Sequence, residues 1–219
     1  MSDCCDSSDE NVFDVAVIGA GSAGFSAAIT AADEGARVAL IGYDTIGGTC
    51  VNVGCVPSKT LIRAAESLHN AAASKRFDGI EVTANVTDWS AVVAQKQTLV
   101  DELRNAKYID VLPSYNTIAY KEGKASFTES GDLTVDGELL DVGKIIIATG
   151  AQAQIPEIPG INAIPYLTST TALEMEQLPA SLLVIGAGYI GVETAQIFAR
   201  AGVNAVSYTH LTLPTNREV

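Results

Sequence analysis

The stretch Phe13-Asp14-Val15-Ala16-Val17-Ile18-Gly19-Ala20-Gly21-Ser22-Ala23-Gly24 decides how this chain folds. A short apolar run, Val12 to Ile18, reads as a buried strand of a parallel sheet. Ser22 to Glu34 is alanine-rich and reads as a helix stopped by Gly35, and Arg37 to Ile41 reads as the next strand. The pattern G-x-G-x-x-G at Gly19, Gly21 and Gly24 therefore stands between a strand and a helix. The first glycine permits the tight turn and the second lets the backbone approach a pyrophosphate. The third lets the helix pack closely on the strand, and the helix start at Ser22 and Ala23 attracts the anion. The same rule expects an acidic residue ~20 positions on, at the end of the second strand, to hold the ribose. This chain has Gly42 there, with Asp44 two residues later as a candidate substitute.

Leu182-Leu183-Val184-Ile185-Gly186-Ala187-Gly188 repeats the arrangement. Gly186, Gly188 and Gly191 form a second glycine turn after a buried strand at Ser181 to Ile185, with Tyr189 and Ile190 inside it and Glu193 following. A helix from Tyr189 to Arg200 and a strand from Val203 to Ser207 complete the unit. Two such turns in one chain point to two nucleotide cofactors.

Between them lies Gly47-Gly48-Thr49-Cys50-Val51-Asn52-Val53-Gly54-Cys55-Val56-Pro57-Ser58-Lys59. Fully extended, the step from Cys50 to Cys55 spans about 17 Å, and a regular helix sets the two on divergent faces. For the sulfurs to meet, within the roughly 4.4–6.8 Å between Cα atoms that a disulfide needs, the segment must curl irregularly, and Gly54 loosens the backbone there. Pro57 marks a helix start and a helix to about Lys75. Cys55 then lies at the positive end of that helix, the setting in which thiolates form, and Cys50 is the outer sulfur. Lys59 is four residues beyond Cys55, on the same helix face. Two cysteines at this spacing also suit a pair of packed apolar side chains or a metal clip. The clip is weakened because no His or further Cys lies nearby to complete four ligands.

A further helix reads from Asp88, its N-cap, to Tyr108. Thr117 to Phe127 and Leu133 to Leu140 read as short antiparallel strands with Gly131 and Gly137 in turns, and Lys144 to Ala148 as another buried strand. Residues 151–166 hold three prolines and read as a linker. Residues 1–11 read as a flexible tail.

The net charge is −13, so no basic surface is expected for nucleic acid. No secretory leader precedes Asn11 and no long apolar run spans a membrane, which points to a cytoplasmic protein. Of four cysteines, Cys4 and Cys5 sit in the tail, too few and too closely set for a disulfide framework. As adjacent soft ligands they are candidates to capture a soft metal.

From residue 12 to about 206 the chain resembles the flavin-dependent pyridine nucleotide–disulfide oxidoreductases. The cysteine run carries the resemblance, with Ile147-Ala148-Thr149-Gly150 looking like a second flavin-domain signature. Within the group, Thr45-Ile46, Val100 to Tyr108, and Tyr166-Leu167-Thr168-Ser169-Thr170 look most like the mercuric reductases. The resemblance implies an α/β fold: a Rossmann-like FAD-binding domain over 12–160, with a parallel sheet in three layers and an antiparallel insertion. The start of a second, NAD(P)-binding Rossmann-like domain would follow over 161–206.

It also implies a reaction, in which NADPH reduces FAD, FAD reduces a Cys50–Cys55 disulfide, and Hg(II) leaves as Hg(0). Gly19, Gly21, Ser22, Ala23, Gly24, Gly48, Thr49, Lys59, Ala125, Thr149 and Gly150 would hold FAD, Ala125 through its backbone. Gly186, Gly188, Tyr189, Ile190, Gly191 and Glu193 would form the NADPH side, with Tyr189 over the nicotinamide. Cys50, Cys55, Lys59 and Glu193 are the implied catalytic set. Cys50 and Cys55 would hold Hg(II) transiently, and Cys55 would be the sulfur facing the flavin. A dihydrolipoyl dehydrogenase-like disulfide reductase and a catalytically incomplete flavin- or metal-binding fragment are the alternatives. Members of the group are homodimers and much longer, and residues 207–219 match nothing in them. A truncated reading frame with a foreign tail is therefore expected.

Overall fold

In a computed structural model, residues 11–43 and 45–208 are described. They form two compact units, one of residues up to Asn52 with Asp101–Gln152, the other of Val53–Val100 with the residues from Ala153 on. Asp44, Cys4, Cys5, His210 and all but the first two residues of 207–219 lie outside the described residues.

The first unit holds β1 (Val12–Ile18), α1 (Ser22–Asp33), β2 (Val38–Gly42), α2 (Gly48–Asn52), β3 (Ile118–Glu122), β4 (Ala125–Phe127), β5 (Leu133–Val135) and β6 (Glu138–Ile147). Its sheet runs in the order β3-β2-β1-β6-β5-β4. β1 lies between β2 and β6, parallel to both, with Val15 level with Val38 and Lys144. β2 is buried throughout, as an unbroken apolar run between two parallel neighbours must be. β4 and β5 pair antiparallel and β5 joins the start of β6. Leu133, Val135 and Leu140 cluster with Phe13, Ala16, Ile18, Ala39 and Ile41, so this small meander caps one face of the sheet. α1 buries Gly24, Phe25 and Ala28. Gly35, at φ 88°, ends it as a left-handed cap, its amide donating to Ala32 O at 2.9 Å. This is a mixed α/β fold of the Rossmann-like flavin-binding kind.

The second unit holds α3 (Cys55–Ala73), most of α4 (Trp89–Arg104), α5 (Ser169–Ala172), β7 (Ser181–Ile185), α6 (Tyr189–Arg200) and β8 (Asn204–Tyr208). Leu61, Trp89, Val93, Leu173 and Ile197 make its main core, and Phe198 is buried with Ala172 and Val203. The Trp89 indole N–H donates to Met175 O at 2.9 Å, which satisfies the one polar atom that burying this ring takes from water. β7 and β8 pair parallel, with Ser207 and Tyr208 level with Val184 and Ile185. The strand thus takes in the first two residues of 207–219.

Four expectations are corrected. Ile118–Glu122 is not antiparallel. It pairs parallel with β2, Val38 level with Ile118, because the long excursion through α3 and α4 returns the chain to the same end of the sheet. Lys144–Ile147 is a strand but not a buried one, with Ile147 65% exposed. β5 reaches only Glu138–Leu140, so this half of β6 pairs with β1 alone. β7 is likewise open, with Leu183 62% exposed. A two-stranded sheet with a single crossover helix has one face to bury, not two. The helix expected to reach Tyr108 is α-helical to Arg104 and continues as a π turn over Asn105–Ile109.

Both nucleotide-type turns rest on one close contact. A Cβ on Gly24 would lie 1.7 Å from Gly19 O, and one on Gly191 2.2 Å from Gly186 O. At Gly35 a Cβ meets nothing within 4 Å. Gly24→Ala is expected to cost about 3 kcal/mol or more in urea unfolding, against about 1–2 kcal/mol for Gly35→Ala, whose only penalty is the left-handed backbone.

Asp88 caps α4 as expected. Its Oδ1 accepts from the Ser90 hydroxyl at 2.7 Å and the Ala91 amide at 3.2 Å. The Ser90 bond first, then the Ala91 amide, hold its carboxyl below the usual carboxylate range. A lowered folded-state value means that stabilisation is fully present above the ordinary carboxylate range and is lost as pH falls through the lowered value. Asp88→Asn keeps a cap without the titration. Its stability, followed by urea midpoints from pH 6 down to pH 2, should fall less steeply than that of the parent.

A candidate flavin and thiol site

At the C-terminal ends of β1 and β6 three backbone segments converge within the first unit. Gly19 has φ 118°, and a Cβ there would stand 2.1 Å from Ala148 O and 3.1 Å from Thr149 N. Only glycine lets the Thr149-Gly150 segment lie against the turn. Gly21 and Gly47 form a parallel bridge, the Gly47 amide donates to Ala20 O at 2.9 Å, and a Cβ on Gly48 would sit 2.6 Å from Gly21 Cα. The start of the cysteine run is thereby attached to the glycine turn. This brings Gly19, Gly21, Ser22, Ala23, Gly24, Gly48, Thr49, Thr149 and Gly150 to one end of the sheet.

α1 has Gly21 as N-cap, with no side-chain cap and no acid in its first turn. Its leading amides are left for an anion, and the glycine backbone leaves room for one to approach, so a dinucleotide pyrophosphate fits by charge and by space. α6 repeats this with Gly188 as N-cap, again with no side-chain cap and no acid in the first turn. Tyr189, 80% exposed, and Ile190 open that helix.

The cysteine run is not a plain loop. Gly48–Asn52 makes a short helix, α2, containing Cys50. Gly54, at φ −123° and ψ −109°, breaks the helical path, and α3 opens at Cys55, two residues ahead of Pro57. Both cysteines are exposed. Cys50 belongs to the first unit and Cys55 to the second. Within the second, the Lys59 ammonium and the Glu193 carboxylate form an ion pair that ties α3 to α6. Lys59 is 59% exposed and Glu193 32%, so the pair stays reachable by solvent and its own contribution to stability is small. Ala125 opens β4, level with Val135.

Three features were not foreseen. Tyr108, in the π turn, is buried; its hydroxyl lies 2.9 Å from Ser22 Oγ and its ring meets Phe25 edge-on at 4.8 Å. Asn52 Nδ2 donates to Ile46 O at 2.9 Å and Gly48 O at 3.0 Å, while Arg104 donates to Asn52 Oδ1 at 3.1 Å and to Asp101 Oδ1 at 2.7 Å. The signal was partly legible, since Arg104 and Tyr108 lie in the Val100–Tyr108 stretch singled out for its resemblance. Third, a Cβ on Gly42 would lie 2.3 Å from Tyr120 Oη, so the phenol occupies the ground where a ribose-binding side chain would begin. Nearby, Tyr43, Glu122, Gly123, Lys124 and Asp136 line an open cavity of about 430 Å³.

The sequence profile of the pyridine nucleotide-disulphide oxidoreductases matches residues 13–214. The chain belongs to that family, whose members are flavin-dependent oxidoreductases. It is 45% identical over 194 residues to the mercuric reductase of Lysinibacillus sphaericus, covering 89% of this chain and 35% of that protein. With the mercuric reductase of Staphylococcus aureus it shares 44% over 190 residues, covering 87% and 34%. The chain thus spans about a third of the length of the curated relatives it matches. Among solved structures it resembles the HOCl-induced flavoprotein disulfide reductase RclA from Escherichia coli, with TM-score 0.75 and 36% identity over 89% of this chain and 41% of that one. It also resembles the Cu(II) complex of RclA, with TM-score 0.76 and 34% identity over 93% and 43%. No helix among the described residues is long and apolar enough to cross a membrane.

Asn52 ties the end of α2 to Ile46 and to Arg104. Asn52→Ala removes two bonds to the backbone and the partner of Arg104, and should cost about 1–2 kcal/mol. Alkylation of Cys50 by iodoacetamide, read by peptide mass, should quicken several-fold.

Proposed function

We propose that this chain is the flavin-binding portion of an NADPH-dependent mercuric reductase, which reduces Hg(II) to Hg(0) through the Cys50–Cys55 pair. The observation that carries the reading is the 44–45% identity to mercuric reductases, spread over nearly nine-tenths of the chain. The chemistry supports it. Hg(II) is a soft ion and paired thiolates are its preferred ligands, and both cysteines are exposed. FAD, held at the turn of Gly19, Gly21 and Gly24, supplies two-electron transfer between NADPH and the sulfur pair. The chain's own groups position the partners. The amides opening α1 bind pyrophosphate, Gly47 and Gly48 fix the start of the cysteine run on that turn, and Gly186, Gly188 and Gly191 receive the second nucleotide. Lys59, one turn along α3 from Cys55, is ion-paired with Glu193 of α6. A homodimer is the expected assembly of the whole protein.

The likeness to RclA favours a second reading, a flavoprotein disulfide reductase whose metal chemistry concerns copper. In the complete gene product, anaerobic NADPH oxidation should depend on Hg(II), with release of volatile mercury. Cys50→Ser and Cys55→Ser should each lower that rate at least ~100-fold, since the two sulfurs act as one unit. Rapid lipoamide or Cu(II) reduction with no response to Hg(II) would overturn the mercury assignment.

A further inference from the structure

Gly42 ends β2, where the dinucleotide fold uses an acidic side chain for the ribose hydroxyls. The missing carboxylate leaves a polar task undone, and the structure shows what stands in its place. Tyr120 lies on β3, level with Leu40 and two residues before Glu122, the partner of Gly42. Its ring crosses over Gly42 so closely that a Cβ there would meet Oη at 2.3 Å, Cε2 at 2.8 Å and Cζ at 2.9 Å. Any side chain at position 42 would have to push the tyrosine aside, so glycine at 42 and tyrosine at 120 are one choice. Among the described residues the Tyr120 hydroxyl donates to no protein atom, although the ring is half-buried. Burial, and then the nearby Glu122 charge, push its pKa up, so it stays a neutral hydroxyl at any working pH. Two of the adjoining polar groups at the strand ends are already engaged. Asp136 is held by the Lys124 amide at 2.9 Å, and the Gly123 amide by Gly42 O at 2.8 Å.

We propose that Tyr120 is the ribose-binding residue of the adenosine half of FAD in this protein, its hydroxyl hydrogen-bonding the ribose hydroxyls in place of the absent carboxylate. The assignment rests on the FAD reading above. A neutral phenol is a weaker partner than a carboxylate, and unlike one it can donate as well as accept. The adenosine end is therefore held without a charge.

Flavin-fluorescence titration of the 219-residue chain tests this with two probes, FAD and its analogue lacking the adenosine ribose 2′- and 3′-hydroxyls. The parent chain should bind FAD about three- to tenfold more tightly than the deoxy analogue, the usual range for one neutral hydrogen bond. Tyr120→Phe keeps the ring over Gly42 and should lose that preference, with unchanged binding of the analogue. Glu122→Gln, the other polar candidate at the strand ends, should keep it. A Tyr120→Phe protein that still prefers FAD to the analogue, or a Glu122→Gln protein that does not, overturns the assignment. A chain that folds by circular dichroism and binds neither probe overturns the FAD reading itself, a different and separable failure.

Discussion

Five glycines pressed backbone to backbone carry the site. Gly21 lies against Gly47 and Gly48, and Gly24 against the carbonyl of Gly19. Neither approach tolerates a methyl group. The first decides where the cysteine run begins relative to the nucleotide turn. The second decides how deeply α1 sits on the sheet, and so where its leading amides point. A reaction between a bound dinucleotide and a nearby sulfur needs the two placed to within a fraction of an ångström. Backbone contact achieves this more rigidly than side-chain packing, because no rotamer is left to vary.

The second glycine turn repeats the device at Gly186 and Gly191 but in a thinner setting. There a two-stranded sheet and one crossover helix stand where the first unit has six strands. The local geometry survives because it depends only on a strand, a turn and the first turn of a helix. Burial of β7 does not, since burial needs a second layer. Local turn chemistry and global packing are thus separable, and the two units display that separation within one chain.

The sequence made much of this legible. Spacing alone located both turns, α1, α6, the N-cap Asp88 and the helix that starts beside Cys55, because each follows from short-range rules of backbone and capping. The parallel pairing of β3 was not legible. Its residues alternate much as an edge hairpin would, and only the partner strand reveals its direction. The Asn52–Arg104 link joins residues 52 apart and Tyr108–Ser22 joins residues 86 apart. No local pattern encodes such contacts. Gly42 is the instructive case: its departure from the acidic rule was plain in the sequence, while its cause, the Tyr120 ring, was not.

By itself, then, the amino-acid order determined the repeated strand–glycine–helix units, the sulfur pair between them and the kind of chemistry they suit, since all of these depend on neighbours a few residues apart. Tertiary structure alone decided that Gly47 and Gly48 dock on Gly21, that Lys59 meets Glu193 across 134 positions, and that Tyr120 fills the ground over Gly42. Those outcomes require distant segments to compete for the same space, and only the folded chain resolves which of them occupies it.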